Sequence, residues 1–322
     1  AAEAGMHLNH GVECEFFLIT PDGAALSDPG DTAIKPCYDQ QALMRRYDVI
    51  AEICDHMLAL GWGPYQNDNE DANGQIEMNW DFADALVTAD RHAFFKFMAK
   101  SVAEKHGFRA TFMPKPFANL TGNGCHAHVS LWSGDGENLF AGDGDLGLSD
   151  MCYSFLGGLL DHAPALTAIA NPTVNSYKRL NAPVTTSGAT WSPNTITYGG
   201  NNRTHMIRLP GPGRIEVRLA DGATNPYLLP AAILAAGSDG IVNKTKPGER
   251  IDLDMYSEGH KIDAEVLPLN LLDALRAVQA DTAFTTALGP EACAAFVNLK
   301  QAEWTQYTRH LTDWERETTL DC

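Results

Sequence analysis

A chain of 322 residues with 41 acidic and 23 basic side chains carries a formal net charge of −18, and its scattered Lys and Arg form no basic patch. Such a surface repels phosphate backbones and anionic lipid, so neither nucleic acid nor a membrane is expected as a partner. Six Trp, 28 Gly and a 44 % hydrophobic share exclude a disordered chain and supply a large core, in one elaborate domain or two.

The opening AAEAGM reads as the end of a helix, so an N-terminal truncation is expected. GVECEFFL then begins a strand over 11–19, with Val12, Cys14, Phe16 and Leu18 on one face and Glu13, Glu15 and Phe17 on the other. DQQALMRRYDVIAEICDHMLALG places Leu43, Tyr47, Ile50, Cys54, Met57 and Leu58 on one helical stripe that stops at Gly61. GQIEMNW predicts a strand over 75–80, opposing Gln75, Glu77 and Asn79 to Ile76, Met78 and Trp80. A helix from about Asp84 to His106 turns Phe94, Phe97, Met98 and Val102 inward and ends at Gly107. Strands over 108–113 and 124–132 follow, the second opposing His126, His128 and Ser130 to Cys125, Ala127, Val129 and Leu131. Ser149 caps a helix over 149–163. Strands over 203–209 and 214–219, joined by the Gly and Pro of RLPGPGR, predict a hairpin whose second arm opposes Arg214, Glu216 and Arg218 to Ile215, Val217 and Leu219. Helices over 226–243, 270–280 and 290–316 complete the chain.

Clustered strands between long helices predict an α+β fold with an antiparallel sheet, and no G-x-G-x-x-G or Walker loop follows a strand. Seven Cys without a C-x-x-C pair fit reduced thiols in a cytoplasm and argue against structural zinc. No apolar run reaches membrane-spanning length.

Four of these strands bury one face and offer Glu, His, Arg, Asn and Gln on the other, without a single Lys. A lone E-x-E is ordinarily a solvated sheet face, and R-x-E-x-R is ordinarily a cross-strand ion-pair ladder. Taken together on one curved sheet, Glu13, Glu15, Glu77, Glu216 and His126 converge, with Glu70 joining from NDNEDANGQ. Carboxylates gathered so closely repel one another unless cations neutralise them. The carboxylate-rich set with one imidazole suits Mg²⁺ or Mn²⁺ better than zinc, and is large enough for two ions. Arg203, Arg208, Arg214 and Arg218 beside it would hold phosphoryl oxygens, so the residues point to a two-metal, ATP-using phosphoryl transfer enzyme.

Seven blocks, in order GVECEFF, NEDANGQIE, GNGCHAHVSLW, NPTVNSYKRL, NNRTHMIR, GRIEVRLADGATNPYL and AAGSDGI, resemble those of glutamine synthetases across nearly the whole chain. The resemblance implies that residues 1–322 form the catalytic domain, a curved antiparallel β-sheet with flanking helices, lacking the small N-terminal β-grasp domain. It assigns Glu15, Glu70 and Glu77 to one metal and Glu13, His126 and Glu216 to a second, with two or three Mg²⁺ or Mn²⁺ in all. By the same resemblance Arg179 holds the glutamate carboxylate, with Gly122 near the amino end. Arg203 and Arg218 match contacts to the transferred phosphoryl group, while His128, Ser130, Arg208 and Arg214 match supporting nucleotide or phosphate contacts. The implied activity is ATP-dependent ligation of L-glutamate to an amine through a γ-glutamyl phosphate, in a homo-oligomer of stacked hexameric rings.

Two departures bear on the amine. Thr121 stands where the family carries Asn, and Thr185 stands where it carries the flap glutamate that binds ammonium. A neutral hydroxyl with Trp191 nearby would favour an alkylated amine, and the loop resembles that of gamma-glutamylmethylamide synthetases, so methylamine is the expected substrate. Ammonia, as in an ordinary glutamine synthetase, or a longer amine are the nearest alternatives, and a non-catalytic assembly protein the distant one. Tyr256, near the place where relatives are adenylylated, reads as a surface loop tyrosine.

Overall fold

The computed structural model describes residues 5–322. Nine strands form one sheet: β1 (Met6–Ile19), β2 (Pro64–Asn69), β3 (Gln75–Trp80), β4 (Ala83–Asp84), β5 (Arg109–Thr111), β6 (Cys125–Ser133), β7 (Tyr198–Gly199), β8 (Ile207–Arg208) and β9 (Ile215–Val217). Their order is β2-β3-β1-β6-β9-β8-β7, with β4 and β5 also paired to β1. Every pairing is antiparallel except the two-residue contact of β7 with β8, so the sheet is mixed rather than wholly antiparallel as expected.

The period-two reading of the faces holds on all four strands. Val12, Cys14, Phe16, Leu18, Ile76, Met78 and Trp80 share one apolar cluster, and Ala127, Val129, Leu131, Ile215, Val217 and Leu219 share the next. The first cluster lies under α2 (Tyr47–Ala59) and α3 (Ala85–Lys105) through Ile50, Ile53, Met57, Phe95, Met98 and Val102. The second lies under α4 (Asp150–Asp161), α5 (Ala163–Ala170), α7 (Leu228–Asn243) and α8 (Leu271–Ala280). With helices stacked on one face, the polar side chains of the same strands line the opposite one.

Helices depart from expectation where polar side chains stop them. The stretch 40–60 breaks into α1 (Gln40–Met44) and α2, because Arg45 pairs with Asp28 (2.5 Å) and Arg46 reaches Ser27. Tyr47 and Leu58 consequently face out, and Val49 and Ile53 take the inner stripe. In α3 the aromatic order is likewise shifted: Phe95 is buried, while Phe94 and Phe97 are exposed. After the short α9 (Thr282–Leu288), the stretch 290–316 becomes α10 (Pro290–Tyr307) and α11 (Asp313–Thr319), the latter opened by a capping box between Thr312 and Glu315. The arm expected over 203–209 is strand only at β8, because Asn202 Oδ1 accepts from Thr204 N (3.0 Å) and Oγ1 (2.8 Å) and makes a turn there. The 149–163 helix, with its Ser149 cap, and those at 226–243 and 270–280 fall within two residues of expectation as α4, α7 and α8. No helix among the described residues is long and apolar enough to cross a membrane.

Candidate active site

Cross-strand register brings the acidic and imidazole groups together. Glu15 on β1 sits opposite Glu77 on β3, and Glu13 opposite His126 on β6. His128 is opposite Glu216 on β9, and Glu216 opposite Arg208 on β8. These groups border a cavity of about 630 Å³, within the size range of small-molecule sites. Glu13, Glu15, Glu70, Glu77, Gly122, His126, His128, Ser130, Arg179, Trp191, Arg203, Arg208, Arg214 and Arg218 all line it.

Hydrogen bonds fix the carboxylates individually. Glu15 accepts from Gly124 N (2.7 Å) and Gln75 Nε2 (2.9 Å), and Glu77 from Asn79 Nδ2 (2.8 Å). Glu13 accepts from His126 Nδ1 (3.0 Å) and His128 Nε2 (2.9 Å). Glu216, wholly buried, is clasped by Arg218 Nη1 (2.5 Å) and Arg208 Nη1. The two guanidinium groups cover it, and it does not itself line the cavity.

Electrostatically the site has two unlike halves. Burial followed by the charges of Glu15, Asp68 and Glu13 pushes Glu70 up to about 8. Burial and then Glu70, Glu13 and Glu15 push Glu77 well above the carboxylate range. In the other half, burial opposes ionisation of Glu216, but Arg218, His128 and His126 outweigh it and hold the carboxyl down at about 2. Glu13 is likewise held low, its burial outweighed by hydrogen bonds from His126 and His128. One half therefore has Glu216 paired with the guanidinium groups of Arg208 and Arg218 and Glu13 held by imidazole hydrogen bonds, with burial and then Arg218 pushing His126 toward its neutral form; the carboxylates of the other half have no such partners.

That deficit is what a bound cation would fill. Ligand atoms lie within 4.8 Å of one another in three groupings at this face: Glu13 with His126 and Glu216, Glu15 with Glu77 and His126, and Asp68 with Glu70 and Glu77. The donors are mainly carboxylate oxygens, which fit Mg²⁺ or Mn²⁺. The expected second set is one of these groupings. The expected first set is not: Glu15 and Glu70 meet only through Glu77, and Asp68 stands beside Glu70 instead.

Asp68 went unnoticed in the sequence because PYQNDN has a single β-former, Tyr65, among turn-prone residues and no apolar alternation; pairing with β3 sets it opposite Glu77. Behind the sheet, Cys14, His92 and Cys125 also converge, fully buried in the apolar core, with no spacing motif to announce them.

At one end of the cavity the backbone comes close. A Cβ on Gly124 would lie 2.8 Å from His126 Nε2 and 3.1 Å from Arg179 Nη2, and one on Gly122 would lie 3.0 Å from Arg179 Cγ. Only glycine fits at either position. Arg179 is buried on α6 (Ser176–Leu180), its guanidinium donating to Leu219 O (3.0 Å) and Arg218 O (3.3 Å).

A family model, "Glutamine synthetase, catalytic domain", matches residues 1–319. The chain belongs to the glutamine synthetase family. It is 66 % identical over 325 residues to a protein of Rhizobium leguminosarum bv. phaseoli named "Glutamine synthetase", covering all of this chain and 74 % of that one. It is 47 % identical over 322 residues to a protein of Methyloversatilis universalis named "Glutamate--methylamine ligase", covering 97 % of this chain and 72 % of the other. Among solved structures, one titled "GmaS/ADP complex-Conformation 1" superposes with a TM-score of 0.97 at 72 % identity, over all of this chain and 75 % of that one. One titled "Apo GmaS without ligand" gives 0.95 at 70 %, over all of this chain and 74 % of that one. This is a glutamine synthetase-family ligase, and the open mixed sheet with flanking helices is the family's catalytic-domain fold.

Within that fold one expected substrate contact is misplaced. Thr185 is buried but does not line the cavity; its hydroxyl donates to Ala189 O and lies 3.0 Å from Ser187 Oγ. It shapes the loop, and Thr190 and Trp191 are the loop residues that face the cavity. Tyr256 is more than a surface tyrosine, since its ring meets Trp191 edge-on at 6.3 Å and its hydroxyl donates to Ser192 O (3.3 Å).

Proposed function

We propose that this protein joins L-glutamate to methylamine at the expense of ATP, through a γ-glutamyl phosphate. The observation that carries the reading is the wall formed by Thr121, Thr190 and Trp191, which offers hydroxyls and an indole beside Arg179 and no carboxylate from the loop. Ammonium is strongly hydrated and needs an anionic acceptor to replace its water; a methylated amine carries an apolar surface that an indole can cover. The 47 % identity to a protein named glutamate–methylamine ligase and the likeness to structures named GmaS support it. The second reading, an ordinary glutamine synthetase using ammonia, is favoured by the 66 % identical relative named "Glutamine synthetase".

In this mechanism Glu15, Glu70, Glu77 and Asp68 would hold one divalent cation and Glu13, His126 and Glu216 another. When bound, these ions supply positive charge to the oxygens of the transferred phosphoryl group. Arg179 holds the α-carboxylate of glutamate while Gly122 and Gly124 leave room for its approach. The γ-carboxylate oxygen attacks the terminal phosphorus of ATP and the bond to the ADP oxygen breaks. Arg203 and Arg218 hold the phosphoryl oxygens, Arg208, Arg214, His128 and Ser130 the rest of the nucleotide, and catalysis is mainly positioning and charge neutralisation. The bound ammonium first gives up one proton to water, the free amine nitrogen then attacks the γ-carbonyl carbon, phosphate departs with the C–O bonding pair, and a second proton passes to water to leave the neutral amide.

The test compares kcat/KM for methylamine, ammonia, ethylamine and putrescine with glutamate and ATP. Methylamine is expected to lead; preference for ammonia would overturn the amine assignment, and no amide from any amine would overturn the ligase assignment.

A further inference from the structure

Thr121 and the loop that carries Thr185, the two places where the sequence is expected to depart from the family pattern, are joined in the structure by one carboxylate. Asp71, 6 % exposed on the turn between β2 and β3, accepts on Oδ2 from both Thr121 Oγ1 and Ser187 Oγ. Around Ser187 the loop is a closed turn: Gly188 N donates to Thr185 O at 3.0 Å, and Thr185 Oγ1 donates to Ala189 O. A second tether runs from Thr186 N and Oγ1 to Asn119 O at 3.1 and 3.2 Å. Beyond the turn, Trp191 enters the cavity wall with φ 51°, a left-handed backbone that an indole-bearing residue rarely adopts unless its surroundings impose it. Ser192 Oγ ties the following residue to Arg179 O at 3.1 Å.

We propose that Asp71 is a positioning residue, a latch that holds residues 185–191 against the cavity and so sets the wall against which the amine is selected. Asp71 does not line the cavity itself, whereas Thr121 and Trp191 do, so it acts through them. One carboxyl oxygen shared by two hydroxyl donors ties the Thr121 segment and the Ser187 turn to a single point. The latch ties the loop to the turn that carries Glu70, one residue away, so loop closure and the acidic end of the cavity share a support. That the wall selects an amine rests on the proposed ligase activity; that Asp71 holds the loop does not.

The experiment uses the full-length enzyme with Asp71→Ala, Asp71→Asn and Ser187→Ala. Hydrogen exchange over residues 183–192 is followed without substrate, and steady-state kinetics with methylamine and ammonia. Loss of the latch is expected to speed exchange at the Thr186 and Gly188 amides about tenfold in Asp71→Ala and Ser187→Ala. Both variants are expected to raise the amine KM about tenfold with a smaller fall in kcat, and to narrow the methylamine-to-ammonia ratio. Asp71→Asn, whose amide oxygen still accepts, should keep most of the protection and selectivity. Unchanged exchange in Ser187→Ala overturns the latch, and that variant decides alone should Asp71→Ala not fold. Faster exchange in these variants, together with no amide from any amine in the unsubstituted enzyme, would overturn the ligase reading and leave the latch standing.

Discussion

Replacing Glu216 by Ala tests the buried centre of the site in two ways at once. Glu216 is wholly buried between Arg218, itself 2 % exposed, and Arg208. Removing its charge strands the Arg218 guanidinium in a desolvated place, and breaking such a buried pair costs about 3–5 kcal/mol. An unfolding entropy of roughly 2.1 cal/mol/K per residue, summed over this chain, converts that to a fall in melting temperature of about 4–7 °C. The geometry predicts an enzyme both dead and destabilised. The assay pairs thermal denaturation with ADP release from ATP and glutamate. Glu216→Ala combined with Arg218→Met, which removes the stranded charge, should recover most of the melting temperature and none of the turnover. An unshifted melting temperature in Glu216→Ala would refute the buried-pair argument, and near-normal turnover would refute a cation held by Glu13, His126 and Glu216.

Mn²⁺ added to a weakly buffered solution at pH 7 should lower the pH, because Glu70, pushed up to about 8, and Glu77, pushed well above its ordinary range, carry protons that a cation must displace; a pH electrode that shows no release refutes the cation-hungry half. Gly124→Ala puts a methyl 2.8 Å from His126 Nε2, and turnover should fall at least about tenfold with the fold retained, as measured by kcat and circular dichroism. Arg179→Ala should raise the KM for glutamate far more than it lowers kcat, and an unchanged glutamate KM contradicts its role. His162 bonds Asp281 (2.6 Å) and Asp239 (3.1 Å), and although burial opposes its charge these partners raise its pKa. Its stabilising contribution is therefore full below about pH 6.5 and lost as pH rises through the folded-state value; His162→Gln should flatten melting temperature against pH across that window.

The site was legible where side-chain alternation alone fixes direction. Glu13 and Glu15, Gln75 and Glu77, His126 and His128 each straddle a residue that the core demands, so their common face follows from burying Cys14, Ile76 and Ala127. Residues placed by turns were harder to read. Asp68 sits on a strand without apolar alternation, and Thr185 is turned out of the cavity by bonds within its own loop. Helix stripes erred by one position at Phe94 and Phe95 because two adjacent aromatics both satisfy a broad apolar face, and only packing against Phe16 and Trp80 chooses between them. The breaks at Arg45 and after Tyr307 arise from side chains reaching backbone or distant carboxylates, which hydrophobic periodicity does not report.

Because Cys14 separates Glu13 from Glu15 on a single strand, a slip of one residue would turn the two cavity-facing carboxylates into the interior and the thiol outward. The candidate cation ligands and the core of the sheet are thus coupled, since neither can shift along the strand without the other. The 185–191 loop carries no strand of that sheet, so substitutions there can recast one wall of the cavity and leave the strand register of its acidic face untouched.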